Sequence, residues 1–476
     1  MSHEVTGFKK VLNRKEIFAL AFGAMIGWSW VVLSGDWIKQ AGTLGAIIAF
    51  IMGGFLVLFV GLTYAELTVA MPKCGGEHVF SMRAIGVGGS FICTWAIIIC
   101  YVGVVAFEAC AFPTVIQYIA PGFMRGYMYT IAGFDVYASW VAVAVVSAII
   151  ITVINYIGIK PAAVFNMVLT FVIAGVGILL VAGSAVSGSM ETTEPFFDNG
   201  FKGILSVAVM TPFMFVGFDV IPQAAEEINI PYKKIGGILM LSIAMAIVFY
   251  MAMIFAVSRV MTRADLDAAS LATADAMKKA LFNSDAAAKV LIIGGMAGII
   301  TSWNAFFVGG SRAIYAMAEA KMLPGFLGKL HPRYKTPVTA IVLIGTVSMI
   351  APFFGRRMLV WLVDAGSAAA VVAYLLVAVS FLILRKNEPD MERPYRVRFG
   401  VFAGIMAVAL SIFMAILYIP GMPSGLVPQE LFILGIWVLA GIACGITAKM
   451  KYGAQFGHAE GLLHPVKYRE KNKAAA

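Results

Sequence analysis

Apolar runs of about twenty residues, interrupted by short polar stretches, recur from Ile17 almost to Met450. A helix needs about 20 apolar residues to cross a bilayer core, so the pattern predicts an all-α polytopic membrane protein of about twelve spans. The predicted spans are 17 to 38, 44 to 70, 90 to 118, 137 to 158, 163 to 184, 203 to 227, 235 to 258, 288 to 318, 337 to 353, 358 to 384, 399 to 419 and 430 to 449. Little chain is left for a soluble domain. The first run follows basic residues, but its length and the span that comes directly after it argue against a cleaved signal peptide.

Composition agrees with this reading: 61% of residues are hydrophobic and 13% charged, against roughly 25% charged in soluble chains. The net charge of +10 is scattered through loops rather than gathered on one solvated domain, which excludes a nucleic-acid partner. With both termini cytoplasmic, about 25 of the 35 Lys and Arg fall on the cytoplasmic side, as the positive-inside rule requires. The expected setting is therefore the cell (inner) membrane. The main exceptions, Arg259, Arg263, Lys278, Lys279 and Lys289, share one polar segment. Cys74, Cys93, Cys100, Cys110 and Cys444 read as small buried hydrophobes. The five His fall in predicted loops or tails without metal-ligand spacing.

Two spans carry features that a continuous lipid-facing helix avoids. The first contains Gly23-Ala24-Met25-Ile26-Gly27-Trp28-Ser29, and the sixth contains Thr211-Pro212-Phe213-Met214-Phe215-Val216-Gly217-Phe218-Asp219. Non-helical backbone at membrane depth survives only where it is buried or lines a cavity. Paired broken helices in corresponding halves point to a transporter site. Close packing through small residues is the alternative.

These residues resemble the amino acid, polyamine and organocation permeases. Gly23 to Ser29 is similar to that family's first-span glycine motif, and Tyr64-Ala65-Glu66-Leu67 with Pro72 and Gly75-Gly76 to its second-span exit. Phe215 to Asp219 with Glu226-Glu227 and Pro231 is similar to its sixth span. Ser311 to Ala318 with Leu323-Pro324 and Thr336-Pro337 is similar to the end of its eighth. The resemblance implies a five-plus-five inverted repeat with broken helices 1 and 6: an N-terminal segment 1 to 16, repeats over 17 to 184 and 203 to 384, two further spans over 399 to 449, and a basic tail 450 to 476. It also implies secondary transport of amino acids by alternating access, with polyamines or other small organic amines as the alternative substrates.

A broken helix leaves amides free on one half and carbonyls on the other, each end worth about half a charge. A zwitterionic amino acid fits, its carboxylate at the amides of Gly27, Trp28 and Ser29 and its ammonium at carbonyls of Met25, Phe213 and Val216, with Gly217 permitting the chain reversal. The resemblance implies the same assignment and makes Phe213 a lid. Trp28 and Trp30 depart from the family pattern, and either narrow the pocket, offer a face to a cationic group or pack against neighbours. Glu108, deep in the third span, is expected to face the cavity, since an unpaired carboxylate in a membrane helix is costly. It could attract a basic substrate, exchange a proton, or form a structural hydrogen bond. Asp219 either serves the substrate or complements the helix dipole.

No enzymatic role and no cofactor is expected, apart from a sodium ion as coupling ion. In sodium-coupled relatives of this fold the spacing Gly298-Ile299-Ile300-Thr301-Ser302, with first-span carbonyls, here Gly23 and Ile26, makes a sodium site, and oxygen ligands suit a hard cation; the alternative is that the Thr301 and Ser302 hydroxyls only bond the preceding carbonyls of their own helix. Many sodium-independent permeases place a fifth-span lysine there, whereas this chain has Ile173 at the aligned position and no Lys between Lys160 and Lys202. Proton coupling and exchange stay open, as does the oligomeric state. A channel would need a filter motif or charged ring, an enzyme a nucleophile with a base or a metal cluster, and a sensor an output domain. The expected partners are a small-molecule substrate and the lipid bilayer.

Overall fold

A computed structural model describes residues 7–458 except Pro423; the first residues of the N-terminal segment and most of the basic tail lie outside the described residues. The chain runs through α1 (Arg14–Met25), α2 (Ser29–Ala41), α3 (Thr43–Ala70) and α4 (Glu77–Ile119) to a hairpin of β1 (Tyr127–Ile131) and β2 (Phe134–Tyr137). Next come α5 (Ala138–Ile157), α6 (Ile159–Ser187), three short helices α7 (Gly200–Ala208), α8 (Thr211–Met214) and α9 (Val220–Gln223), and α10 (Lys233–Ser258). The rest is α11 (Arg263–Ala268), α12 (Ala272–Ala280), α13 (Asp285–Glu319), α14 (Val338–Ile350), α15 (Gly355–Asn387), α16 (Gly400–Leu417) and α17 (Pro428–Tyr452).

Among the described residues nine helical stretches are long and apolar enough to cross a membrane, and α1 with α2, bent by 47°, makes a tenth. One of the nine is α14 with α15, 50 residues in all. Straight, it would measure about 75 Å against a hydrocarbon core of about 30 Å, so its two parts are separate crossings; α14 packs on α5 and α15 lies along α4. The remaining expected span is the sixth, which divides into α7, α8 and α9, none long enough to cross alone. The protein is thus an all-α polytopic membrane protein.

α4 and α13 form the middle of the bundle, α4 packing on α15 and α13, and α3 on α10. The outer faces carry large apolar side chains with no protein cover, such as Ile178 at 68% and Phe432 at 69% exposure, as a lipid-facing surface requires. The start of α1 is fixed by a capping box: the Asn13 side chain accepts from the amides of Lys15 and Glu16, and Glu16 accepts from the Asn13 amide at 2.9 Å.

One sequence expectation is corrected. The stretch 71 to 89 is not a loop throughout, because helix begins at Glu77 and turns at Gly86 (φ 75°) before continuing as α4. His78 is accordingly not a loop residue. It is buried in the first turn, with Nδ1 2.9 Å from the Ser90 hydroxyl and 3.2 Å from that of Thr94.

Candidate functional site: a cavity at the helix breaks

The two breaks meet at the middle of the molecule. Gly217 has φ +129°, a conformation open to glycine and costly for other residues, and an added Cβ would lie 2.5 Å from the Cβ of Ala24. α13 approaches the first break as closely: a Cβ on Gly298 would lie 2.5 Å from the Gly27 carbonyl oxygen and 2.9 Å from that of Ile26. Tyr250 of α10 joins the two breaks through its hydroxyl, which lies 2.9 Å from the Met25 carbonyl, 3.4 Å from the Met214 carbonyl and 3.1 Å from the Ser29 hydroxyl.

Beside this junction lies a cavity of about 370 Å³. The first span contributes Ala24, Met25, Gly27, Trp28, Ser29, Val32 and Leu33; α4 contributes Val104, Phe107 and Glu108; and the sixth span Phe213, Met214 and Val216. α13 adds Ser302 and Phe306, and α15 adds Arg356, Val360, Val363 and Asp364. α2 starts at Ser29 without a side-chain cap, and an uncapped helix start can receive an anionic group. The Ser302 hydroxyl donates to Glu108 Oε1, while Oε2 is buried and finds no hydrogen-bond partner among the described residues. A largely apolar wall with a few convergent polar groups is the usual form of a small-molecule site.

Seven of the candidate substrate ligands, Met25, Gly27, Trp28, Ser29, Glu108, Phe213 and Val216, line this cavity. Gly217 and Asp219 do not. Gly217 packs against α1, and buried Asp219 accepts from the Gly217 amide at 3.0 Å and the Tyr374 hydroxyl at 3.3 Å, which ties down the second break. Trp28 and Trp30 part company: Trp28 lines the cavity, whereas Trp30 is fully buried with its ring edge-on to Phe249 at 5.3 Å.

The five candidate ion ligands, Gly23, Ile26, Gly298, Thr301 and Ser302, come from facing stretches of α1 and α13. The Thr301 hydroxyl is 2.9 Å from the Gly23 carbonyl and 3.0 Å from the Gly298 carbonyl. Ser302 turns instead to Glu108 and, at 3.2 Å, to the Ile299 carbonyl. Ile173 is fully buried nearby in sequence to Asn166, whose amide holds the Ala19 carbonyl at 3.0 Å.

Sequence reasoning missed the α15 wall and Tyr250. Asp364 could have been found, because it is an ionisable residue within an apolar run, the same signal that marked Glu108. Tyr250 gave none: a tyrosine among apolar residues reads as core until its hydroxyl is located.

On the side of the N-terminus, away from the cavity lining, the segment before α1 is tied to the end of the sixth span. Leu12 pairs with Ile228, the Val11 and Leu12 amides donate to the Glu227 carbonyl at 2.9 Å, and the Asn229 amide to the Leu12 carbonyl at 2.8 Å. Lining residues past the break in α2 and at the start of α15 extend the cavity toward the opposite side.

The sequence model of a family described as "Amino acid permease" matches residues 12–442. The branched-chain amino acid permease BcaP of Bacillus subtilis (strain 168) is 28% identical over 406 residues, covering 82% of this chain and 83% of that protein. The methylthioribose transporter of the same organism is 26% identical over 413 residues, 85% of this chain and 87% of that one. Its gamma-aminobutyric acid permease is 25% identical over 408 residues, covering 81% and 82%.

Proposed function

Because the chain belongs to the amino acid permease family, and is thus a membrane transporter of small molecules, we propose that it carries amino acids by alternating access, with the cavity at the helix breaks as the substrate site. The carrying observation is the convergence of the uncapped start of α2, the free Oε2 of Glu108 and an apolar wall on one cavity of about 370 Å³. The carboxylate sits at the amides of Gly27, Trp28 and Ser29, where the helix dipole favours a negative group. The ammonium faces the carbonyl ends of the breaks, where the Tyr250 hydroxyl already takes one lone pair of Met25 and leaves the other. The side chain lies against Trp28, Phe107, Phe213 and Phe306, which favours an apolar amino acid. The repeats at 17 to 184 and 203 to 384 form the two halves of the machine, and both termini face the cytoplasm of the cell.

Sodium is the proposed coupling ion, held by Gly23, Ile26, Gly298, Thr301 and Ser302. Support comes from the Thr301 hydroxyl, already placed between two of the carbonyls that would share the ion. The hydrogen bond from Ser302 to Glu108 favours a second reading, in which Glu108 carries a proton and Ser302 senses its charge.

One binding experiment tests substrate and ion together, since a ligand stabilises the state it binds. The purified protein is melted against amino acids, amines and methylthioribose across a sodium series, with choline holding ionic strength. Amino acids should raise the melting temperature, and sodium should increase that rise in wild type but not in Thr301→Ala with Ser302→Ala. Linkage requires substrate to strengthen sodium by the same factor. A flat sodium series leaves Glu108 as the coupling group, and then Glu108→Gln should alter the pH dependence of uptake. A shift with methylthioribose alone would overturn the amino-acid reading.

A further inference from the structure

Away from the substrate cavity a second hollow of about 680 Å³ lies on the flank of the bundle between α4, α15 and α17. Its walls are apolar, among them Ile92, Val372, Val438 and Ile442, and the one charged group in its lining is Lys449 in the last turn of α17. Its floor is rigid. The indoles of Trp95 and Trp437 stack at 4.2 Å, and each ring N–H donates to the other residue's carbonyl, at 2.9 and 3.0 Å. Both indoles are therefore satisfied and await no polar ligand. A Cβ on Gly441 would lie 2.4 Å from Trp95 Nε1, so the helices meet here and the hollow opens beside the contact.

The groove reaches from Leu434 to Lys449 along α17, about 22 Å at 1.5 Å per residue, a large part of a hydrocarbon core of about 30 Å. Its charged end lies on the face of the N-terminus, since the Gly457 amide just beyond α17 donates to the Ala320 carbonyl at the end of α13. Lys451 stands two residues further on. An apolar channel capped by a cation at headgroup depth is complementary to one kind of molecule in the bilayer. We propose that it is a binding site for an anionic phospholipid, an acyl chain lying against the tryptophan floor and the headgroup phosphate on Lys449.

The test is native mass spectrometry of the purified full chain in detergent, titrated with phosphatidylglycerol or phosphatidylcholine. Wild type should retain phosphatidylglycerol in preference. Lys449→Gln should cut that preference about fivefold, as expected for one lysine near an anionic headgroup, and Lys449→Arg should keep it. Ala368→Phe, which fills the groove, should lower retention of both lipids. Equal retention of the two lipids by wild type, or retention unchanged in Lys449→Gln and Ala368→Phe, would overturn the proposal, as would a co-purifying peptide found there in place of lipid. If Ala368→Phe does not fold, the Gln and Arg variants at position 449 decide alone.

Discussion

Both faces of the molecule carry exposed ion pairs, such as Lys73–Glu226 on the face of the N-terminus, but among the described residues that face adds buried ones. On the face of the N-terminus Arg312 grips Glu227 through Nε at 3.0 Å and Nη2 at 3.1 Å, with side chains 0% and 3% exposed. Glu66, fully buried, accepts from Arg385 and the Val397 amide and pairs with Arg393 at 3.1 Å. On the opposite face Arg263–Asp198, Lys278–Asp285 and Lys279–Asp265 join side chains that are a quarter or more exposed. Water and salt screen the second set, so each of its members adds little. The first set is shielded, and removing one partner leaves a charge stranded. The N-terminal face is therefore held in part by buried interactions that must break as units, while the named pairs of the other face are screened. Under the proposed alternating access, a lock that opens as a unit would give two discrete states.

The largest effect should come from breaking the lock. Arg312→Ala leaves Glu227 buried and unpaired, a loss of about 3–5 kcal/mol, and should lower the melting temperature and abolish uptake. Adding Glu227→Gln removes the stranded charge and should restore part of the stability. Cys74 reports the opening, because it is buried on this face with Sγ 3.9 Å from the Arg312 carbonyl. In a variant keeping Cys74 as its sole cysteine, a thiol reagent should react faster after Arg312→Ala. Unchanged reactivity together with normal melting would show that the pair does not hold this face shut.

A smaller effect is expected where the faces join. A side chain at Gly217 would press on Ala24 rather than enter the cavity. Gly217→Ala should therefore cost about 1–3 kcal/mol through its positive φ and the overpacked contact, read as a lower melting temperature with or without substrate. A variant of wild-type stability that fails to bind substrate would return Gly217 to the ligand set.

The contrast between faces was only half legible in the sequence. The breaks showed themselves through Gly27, Pro212 and Gly217, and Glu108 through the cost of a carboxylate in an apolar run, because backbone and desolvation costs leave local marks. Arg312 and Glu227 stood in separate stretches, and their pairing across 85 positions depends on how α13 meets the end of the sixth span. The same holds for Glu66 with Arg385, 319 positions apart. Local pattern placed the third span at 90 to 118 and missed the helix from Glu77, whose buried polar side chains, Glu77 and His78, read as loop. What a residue costs in its own segment is visible in one sequence; which partner offsets that cost is a property of the fold.

The smallest effect belongs to the exposed face. Asp265 sits in α11, outside the spans, where hydrogen bonds from Lys279 first and Thr262 next hold its carboxyl down to about 2. Its oxygen is 2.5 Å from Lys279 Nζ, and it also accepts from the Thr262 amide at 2.8 Å. A carboxyl depressed in the folded state, against about 3.9 in the unfolded chain, adds stability that is fully present above pH 4 and lost as pH falls toward 2. Because the side chains of the pair are about a third exposed, screening limits it to under about 1 kcal/mol. Asp265→Asn keeps a side chain able to cap α11 and removes the charge, so melting at pH 7 should fall slightly, by less in high salt, and the difference from wild type should vanish near pH 2. Uptake should be unchanged, because Asp265 does not line the cavity. A loss of uptake equal to that of Arg312→Ala would mean that the exposed pairs also act as a lock, and the distinction between the two faces would fail.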